Sequence, residues 1–286
     1  MSQAAAPRPS GRRAKWTPLR ILGTLVLTAL AVTTVYPLIF LVLNAMKTQR
    51  EYVESPYGLP GSLDLSNLDT FLFHEEGWRN VANSVVLIGI SVPVCVALAT
   101  LAAYAFTKRP FRGSQTIFGG MVLLVLVPSQ VLLIPLFLIF SDLGLIGSYW
   151  SLFLAYVSLN LPFGIFLLAS TMRAVPNELL EAARIDGAGN LRTLVSIVGP
   201  SAKAGIMTFA LLAFQTMWNE LALSLLLIPR DQDRLLTPTV ALLQGRFSTN
   251  EPLLMAGLLV ATVPSMLAVA IFARYLERGA LAGIGK

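Results

Sequence analysis

The sequence has one cysteine, Cys95, and one histidine, His74. Because Cys95 stands alone inside an apolar run, the chain cannot form an internal disulfide or a cysteine-rich metal site. A single histidine cannot form the clusters that hold catalytic metals, and His74 lies in a polar segment between apolar runs. We therefore interpret His74 as a solvated loop residue, and we expect no metal site and no catalytic residue in this chain.

Charged residues are also scarce. Of the 286 residues, 13% are charged and 55% are hydrophobic, and the mean hydropathy is +0.71. Soluble domains are about one quarter charged. Roughly 20 apolar residues cross a bilayer as a helix, and backbone groups in lipid must be paired within their own segment. The pattern predicts an all-α, polytopic membrane protein with six transmembrane helices. They are expected at about 20–45, 82–106, 115–140, 149–172, 203–228 and 252–276.

Basic residues predict the orientation of these spans. With six spans, 15 of the 21 Lys and Arg residues fall on the side of both termini, and 6 fall on the other side. The positive-inside rule places both termini in the cytoplasm. This bias also explains the pI near 9.7, so no nucleic-acid partner is expected. The first apolar run, 21–43, exceeds the usual apolar region of a signal peptide and is interpreted as an uncleaved span.

Two regions differ in composition. Residues 1–18 are rich in Ala, Pro, Arg and Ser, with no acid before Glu51, which predicts a disordered basic cytoplasmic tail near anionic membrane lipid. Residues 19–286 are expected to form one transmembrane domain with its core at about 82–276. Prolines within the predicted spans break intrahelical hydrogen bonds and can kink a helix, but simple packing is the favoured interpretation, since proline is common in membrane helices.

A polar segment, residues 173–203, separates the fourth and fifth predicted spans and reads as a pair of short helices. Pro176 suits the first turn of a helix, where its missing N–H has no cost. Glu178 and Glu181 follow near the positive end of that helix, where carboxylates are favoured. The first short helix therefore has a defined start.

The same helix has a predicted face and a predicted stop. Gly187 suits the left-handed turn that ends a helix, and Asn190 suits the cap of the next one. The spacing i, i+3, i+4 places four residues on one face: Leu179, Ala182, Ala183 and Asp186. Small alanines would allow a soluble partner to approach closely. The alternative is a helix lying on lipid, but the basic polar face and large aromatic residues typical of that arrangement are missing.

Several motifs resemble the bacterial ABC importer permeases of the carbohydrate-uptake type, and the resemblance runs from about residue 35 to residue 286. The motifs are Ala103–Phe106, Phe111–Gly113, Leu161–Phe163, Glu181–Ala188, Trp218–Glu220, Leu254–Gly257 and Arg278–Gly283. Gly199-Pro200 and Ala280-Leu281 depart from the family's usual Leu-Pro and Leu-Thr. These departures lie outside Glu181–Ala188, so they bear on the assignment to a subgroup more than on the assignment of function.

The resemblance implies the type I fold of ABC importer permeases, with the 173–203 segment acting as the EAA loop that couples to a cytoplasmic ATPase. The coupling residues would be Glu178, Glu181, Ala182, Ala183, Asp186, Gly187 and Ala188. It also implies a second homologous permease, an ABC ATPase dimer and an extracellular or periplasmic solute-binding protein. ATP and magnesium would bind to the ATPase, with no cofactor on this chain. The C-terminal Gly-Ile-Gly-Lys is similar to the end of a phosphate-binding loop, but Ala280 stands where that loop needs its first glycine. No nucleotide is therefore expected to bind there.

The solute pathway is marked only by scattered polar residues. Glu220 is the one acid within a predicted span, about 24 Å along the fifth helix, and intramembrane carboxylates usually face protein or water. Either lining the pathway or a structural role fits it. Asn160, Gln215 and Asn219 complete the candidate set.

The leading hypothesis is an importer subunit for a sugar or sugar-like solute. Alternatives are a secondary carrier or channel, an importer permease for a non-sugar solute, and an enzyme acting on lipid-linked substrates. A carrier favours several intramembrane ionisable groups or paired broken helices, whereas this chain has one intramembrane acid, Glu220. An enzyme of this kind needs His or Asp clusters at an interface, and the single loop histidine, His74, argues against it.

Overall fold

The computed structural model describes residues 18–246 and 250–284, and these residues form helices and loops with no β-strand among them. The all-α prediction is therefore confirmed for the described part of the chain. The predicted tail, residues 1–18, lies outside the described residues except for Pro18, which begins the first helix.

Four helices are long and apolar enough to cross a membrane as continuous spans. They are α1 (Pro18–Ala45), α4 (Gly77–Lys108), α7 (Tyr149–Arg173) and α14 (Glu251–Ile284). At about 1.5 Å per residue, the 25 residues of α7 extend roughly 37 Å, which exceeds the hydrocarbon thickness of a bilayer. The first, second, fourth and sixth predicted spans are confirmed as helices.

The third predicted span is not continuous. Helix α5 (Ser114–Val125) is followed by a 3₁₀ turn (Ser129–Leu132) and helix α6 (Leu133–Asp142), with a 96° bend between the two arms. Pro128 precedes the turn in an extended conformation, with φ −61° and ψ 128°. Proline has no N–H to donate and disfavours a helical residue before it. The interpretation of this proline as a packing feature is wrong.

The fifth predicted span is also divided. Helix α11 (Lys203–Trp218) is followed by a break at 219–221 and by α12 (Ala222–Leu227). The segment Asn190–Ser201 lies before α11 at 83° to it. The described residues contain four continuous spans, or six when each bent pair counts as one.

The core is the packing of α4 against α7, with α11 lying across both. Small buried residues such as Ala99 and Ala155 allow close approach, and the Cys95 thiol lies 3.8 Å from the Val157 carbonyl oxygen. At the crossing of α7 and α11, Gly164 lies against the buried ring of Phe209. By contrast, the apolar side chains of α1 are largely exposed in the isolated chain, with α14 as its main neighbour.

Loops close the two ends of the bundle. One end, the α2 end, carries α2 (Gln49–Glu54), α3 (Ser66–Asp69) with a π-turn to His74, and α13 (Leu236–Arg246). Lys47 is buried there, and its Nζ donates to the carbonyls of Ser55 and Pro56 at 2.9 and 3.0 Å. Burial lowers the pKa of Lys47. The α8 end carries α8 (Asn177–Ile185), α9 (Asn190–Thr193), a π-turn (Leu194–Val198) and α10 (Gly199–Ser201).

A loop surface and a cavity as candidate functional sites

Helix α8 begins one residue later than the sequence predicts. Pro176 is the cap residue, with φ −60° and ψ 140°, and the helix starts at Asn177. Glu178 lies in the first turn and is exposed, so its carboxylate is near the positive end of the helix. The prediction of Pro176 within the first turn is off by one position, while the acidic start of the helix is confirmed.

The stop of α8 is a Schellman turn centred on Gly187, which has a φ of +77°. The Ala188 N–H donates to the Ala183 carbonyl at 2.8 Å, and the Gly187 N–H donates to the Arg184 carbonyl at 3.0 Å. A Cβ at position 187 would meet no atom within 4 Å. The glycine is therefore required by its backbone conformation, as predicted.

The predicted exposed face of α8 consisted of Leu179, Ala182, Ala183 and Asp186, and the prediction is wrong at Ala183. Ala183 is buried at 5% exposure, beside Leu180 at 3%, so both pack on this chain's own bundle. The exposed residues of the helix and its cap are a different set: Asn177, Glu178, Leu179, Glu181, Ala182, Arg184, Ile185 and Asp186. Because Ala183 is covered by its own chain, it is unavailable to a partner.

Ile185 is the surface residue that the sequence reasoning missed. It ends α8 with 86% of its surface exposed, and Leu191 in the next helix is 66% exposed. The available signal was an isoleucine between Arg184 and Asp186, outside the apolar spacing of α8. Large aliphatic side chains exposed on a polar loop mark a surface that a partner can cover.

The return segment, Asn190–Ser201, lies against the bundle through the buried residues Thr193, Leu194 and Val198. Gly189 occupies the cap position of its first helix, and Asn190 makes no capping hydrogen bond. The predicted Asn190 cap is therefore wrong. The segment meets α11 at 83°, so it links the loop surface directly to the broken fifth span.

Lys108 and Arg173 attach the α8 end to the spans. The buried Lys108 Nζ, at the end of α4, donates to the Val175 carbonyl at 2.6 Å and to Asn177 Oδ1 at 3.1 Å. The Arg173 guanidinium lies 5.1 Å from the centre of the Phe118 ring in α5. Lys108 therefore holds the start of α8 against α4, and Arg173, the last residue of α7, joins α7 to α5 just before α8 begins.

A cavity of about 610 Å³ lies where the two broken spans meet α7. Its polar lining comprises Ser129, Gln130, Tyr156, Ser158, Asn160, Thr216 and Glu220. Two of the four candidate pathway residues, Asn160 and Glu220, are thus brought to the same cavity. Ser129 and Gln130 join them because the third span is broken at 126–128.

Glu220 caps the second arm of the fifth span. Its Oε1 accepts the Leu223 N–H at 2.7 Å, and its Oε2 accepts the Ser224 N–H at 2.9 Å. The Tyr156 hydroxyl lies 3.5 Å from the same Oε2. Both carboxylate oxygens are therefore engaged by backbone amides of α12, which satisfies donors that the break would otherwise leave free.

The other two candidates, Gln215 and Asn219, line a separate cavity of about 430 Å³ bounded by α11, α13 and α14. The Asn219 side-chain amide donates to the Gln215 carbonyl at 2.8 Å. The predicted pathway set is therefore divided between opposite sides of α11. A continuous helix through 203–228 could not indicate this division.

Glu220→Ala is expected to destabilise the chain by about 2 kcal/mol, because two amides of α12 lose their acceptor in a membrane segment. The shift in melting temperature in mild detergent would be roughly 4–8 °C downward. Glu220→Gln keeps one carbonyl oxygen and should give a smaller shift. Equal stability of Glu220→Ala and the wild type would contradict the capping role.

Comparison with known proteins agrees with this architecture. A family model for the inner membrane component of binding-protein-dependent transport systems matches residues 78–281. The osmoprotective compounds uptake permease protein GgtD of Synechocystis sp. is 34% identical over 202 residues, covering 70% of this chain and 68% of that protein. The trehalose transport system permease protein SugB of Mycobacterium tuberculosis is 32% identical over 206 residues, covering 71% and 75%.

Among solved structures, a bacterial ABC transporter involved in the import of the acidic polysaccharide alginate has a chain with the same fold. The TM-score is 0.77 with 21% identity, and the match covers 95% of this chain and all of that one.

Proposed function

The chain belongs to the family of binding-protein-dependent transport system inner membrane components, and we propose that its solute is a sugar or a sugar-like compound. Members of this family are membrane-embedded permease subunits of ABC importers and not enzymes, so the chain is a multi-pass transport subunit. This membership decides against a secondary carrier and against an enzyme of lipid-linked substrates.

The sugar assignment is supported by the names of relatives. A relative named for trehalose transport is 32% identical, and one named for osmoprotective compounds is 34% identical. Within this chain, the cavity at the two broken spans carries hydroxyl and amide side chains, which suit a polyhydroxylated solute. A non-sugar solute remains the second candidate because osmoprotective compounds form a broad chemical class.

The observation that carries the coupling proposal is the geometry of the α8 end. An exposed helix with a rigid Schellman stop at Gly187 presents Ile185 outward, while Lys108 holds its first turn to α4. An ATPase that binds this surface would displace α8 and, through it, the spans. The coupling residues would be the exposed ones, including Glu178, Glu181, Ala182 and Asp186, with Gly187 and Ala188 forming the turn.

The proposed assembly contains an ABC ATPase dimer, which binds ATP and magnesium, and a second homologous permease. In this proposal the α8 end and both termini lie in the cytoplasm, which the excess of basic residues on that side supports. A solute-binding protein would then dock at the α2 end. Membrane lipid or the second permease would cover the exposed apolar side chains of α1.

Affinity purification of the tagged chain from native membranes in mild detergent tests this assembly. The wild type is expected to bring down an ABC ATPase and a second multi-span permease, identified by mass spectrometry. Gly187→Pro should lose the ATPase selectively, because proline fixes φ near −65° whereas the turn needs +77°. The second permease should remain, since its proposed contacts lie in the spans.

Retention of the second permease in Gly187→Pro is the internal control for folding. Absence of an ATPase from the wild-type sample, while other membrane complexes stay intact, would contradict the importer assembly. Loss of both partners in the variant would instead indicate that the turn is needed for folding.

A further inference from the structure

The cavity at the broken spans has an uneven balance of hydrogen-bond donors and acceptors. The Ser158 hydroxyl donates to the Ala155 carbonyl at 3.1 Å, and the Thr216 hydroxyl donates to the Leu212 carbonyl at 2.9 Å. Each hydrogen is therefore directed into its own helix, and each oxygen keeps lone pairs for the cavity. The hydroxyl oxygens of Ser158 and Thr216 therefore offer acceptors to a bound solute.

Asn160 follows the same pattern. Its Nδ2 donates to the Tyr156 carbonyl at 2.8 Å, which leaves Oδ1 and one N–H available. Gln130, on the 3₁₀ turn after the break in the third span, is exposed and makes no side-chain hydrogen bond to another described residue. Gln130 is thus the amide side chain of the cavity that is free of other described residues, and it can both donate and accept.

The cavity lining is also unbalanced in charge, because its described residues include an acid and no base. Among the described residues that line the cavity, none is Lys, Arg or His, and the one carboxyl group is that of Glu220. Its carboxyl group is fixed in position by hydrogen bonds from the Leu223 and Ser224 amides. The carboxylate or phosphate group of an anionic solute brings only acceptors and a negative charge, and that group finds no cationic side chain on these walls.

We propose that this cavity is a solute-contact site selective for uncharged polyhydroxylated solutes. Gln130 contacts the solute, and Glu220 positions α12, on the facing side of the cavity, by capping that helix. A neutral sugar or polyol supplies hydroxyl donors to the acceptors of Ser158, Asn160 and Thr216. Anionic sugars are disfavoured by the same walls. This inference rests on the proposed transport function, and it narrows that function to neutral solutes on the side of the pathway that this chain forms.

Charged thiol reagents test the proposal. In the complete purified transporter, Cys95→Ser removes the one native thiol of this chain, Gln130→Cys places a thiol in the cavity, and modification is measured on this chain. A cationic methanethiosulfonate is expected to react about tenfold faster than an anionic one, after normalisation to a free thiol in solution. Trehalose should slow the reaction measurably, whereas glucuronate should leave it unchanged.

Gln215→Cys in the same background is the matched control, because Gln215 lies on α11 but lines the other cavity. There we expect a ratio near one and no protection by trehalose. Equal ratios at the two positions, no reaction at position 130, or protection by glucuronate or by neither solute would overturn the proposal. Failure of the transport function is recognised separately, because such a sample contains no co-purified ATPase.

Discussion

Replacing Ile185 with aspartate is expected to lower the amount of ABC ATPase that co-purifies with this chain about 30-fold. Ile185 is 86% exposed at the end of α8, and a partner that covers it gains about 2 kcal/mol from the burial of its side chain. That loss alone corresponds to roughly 30-fold in affinity. An aspartate that the ATPase covers without an opposing hydrogen-bonding or charged group adds a desolvation cost to this loss of affinity. The measurement is the ratio of ATPase to permease in the purified sample.

Leu63→Asp is the matched control for this change. Leu63 is 81% exposed and lies in the loop between α2 and α3, at the opposite end of the bundle. The same change of side chain there should leave the ATPase ratio unaltered. Equal loss in both variants would point to a general defect, and an unchanged ratio in Ile185→Asp would place the ATPase contact elsewhere.

Features governed by local chemistry could be predicted from the sequence. Long charge-free runs predicted the spans, because the transfer of a charged residue into lipid is unfavourable wherever it lies in the fold. The stop at Gly187 was equally predictable, since a glycine after a polar helix has one common use. Its φ of +77° confirms that reading.

Features that depend on packing between spans could not be predicted. Ala183 follows the same local spacing as Ala182, yet it is buried, because the approach of α8 to the bundle decides which side is covered. Similarly, Pro162 lies within the continuous helix α7 while Pro128 lies at a 96° break. Both prolines have polar residues nearby in an apolar run, Ser129 and Gln130 after Pro128 and Asn160 before Pro162, so local composition does not distinguish the two outcomes.

Glu220 illustrates the same limit at the candidate site. An acid in an apolar run suggests a pathway residue, whereas the structure gives both of its oxygens to backbone amides of α12. The break at 219–221 creates those free amides, and nothing in the apolar pattern indicates the break. The role of this residue therefore follows from the interruption of the helix rather than from its charge.

Helix α5 connects the loop surface to the cavity. Phe118, near its start, contacts the Arg173 guanidinium beside α8, and Val125, at its end, lines the cavity. The helix has 12 residues, so the two contacts lie within about 18 Å of each other along one rigid element. In the proposed function, displacement of α8 by the ATPase would reach the solute site through α5 and its bend.

Gly164→Leu is expected to prevent correct folding, because α7 and α11 cross where position 164 has no side chain. A Cβ there would lie 2.6 Å from Cε1 of Phe209, whose ring is fully buried and cannot move aside. The full leucine side chain would force the helices apart, at a cost of about 3 kcal/mol or more. The expected result is a several-fold loss of monodisperse protein after detergent extraction, measured by size-exclusion chromatography.

Gly89→Leu separates this packing effect from the general effect of leucine in a span. Gly89 lies in α4, is exposed, and a Cβ there would meet no atom within 4 Å. The variant should be extracted and elute like the wild type, because an exposed site in a membrane helix accepts an aliphatic side chain. Wild-type behaviour of Gly164→Leu would contradict the close crossing of α7 and α11. Since α11 ends at the break that Glu220 caps, the cavity would then need a different arrangement of its walls.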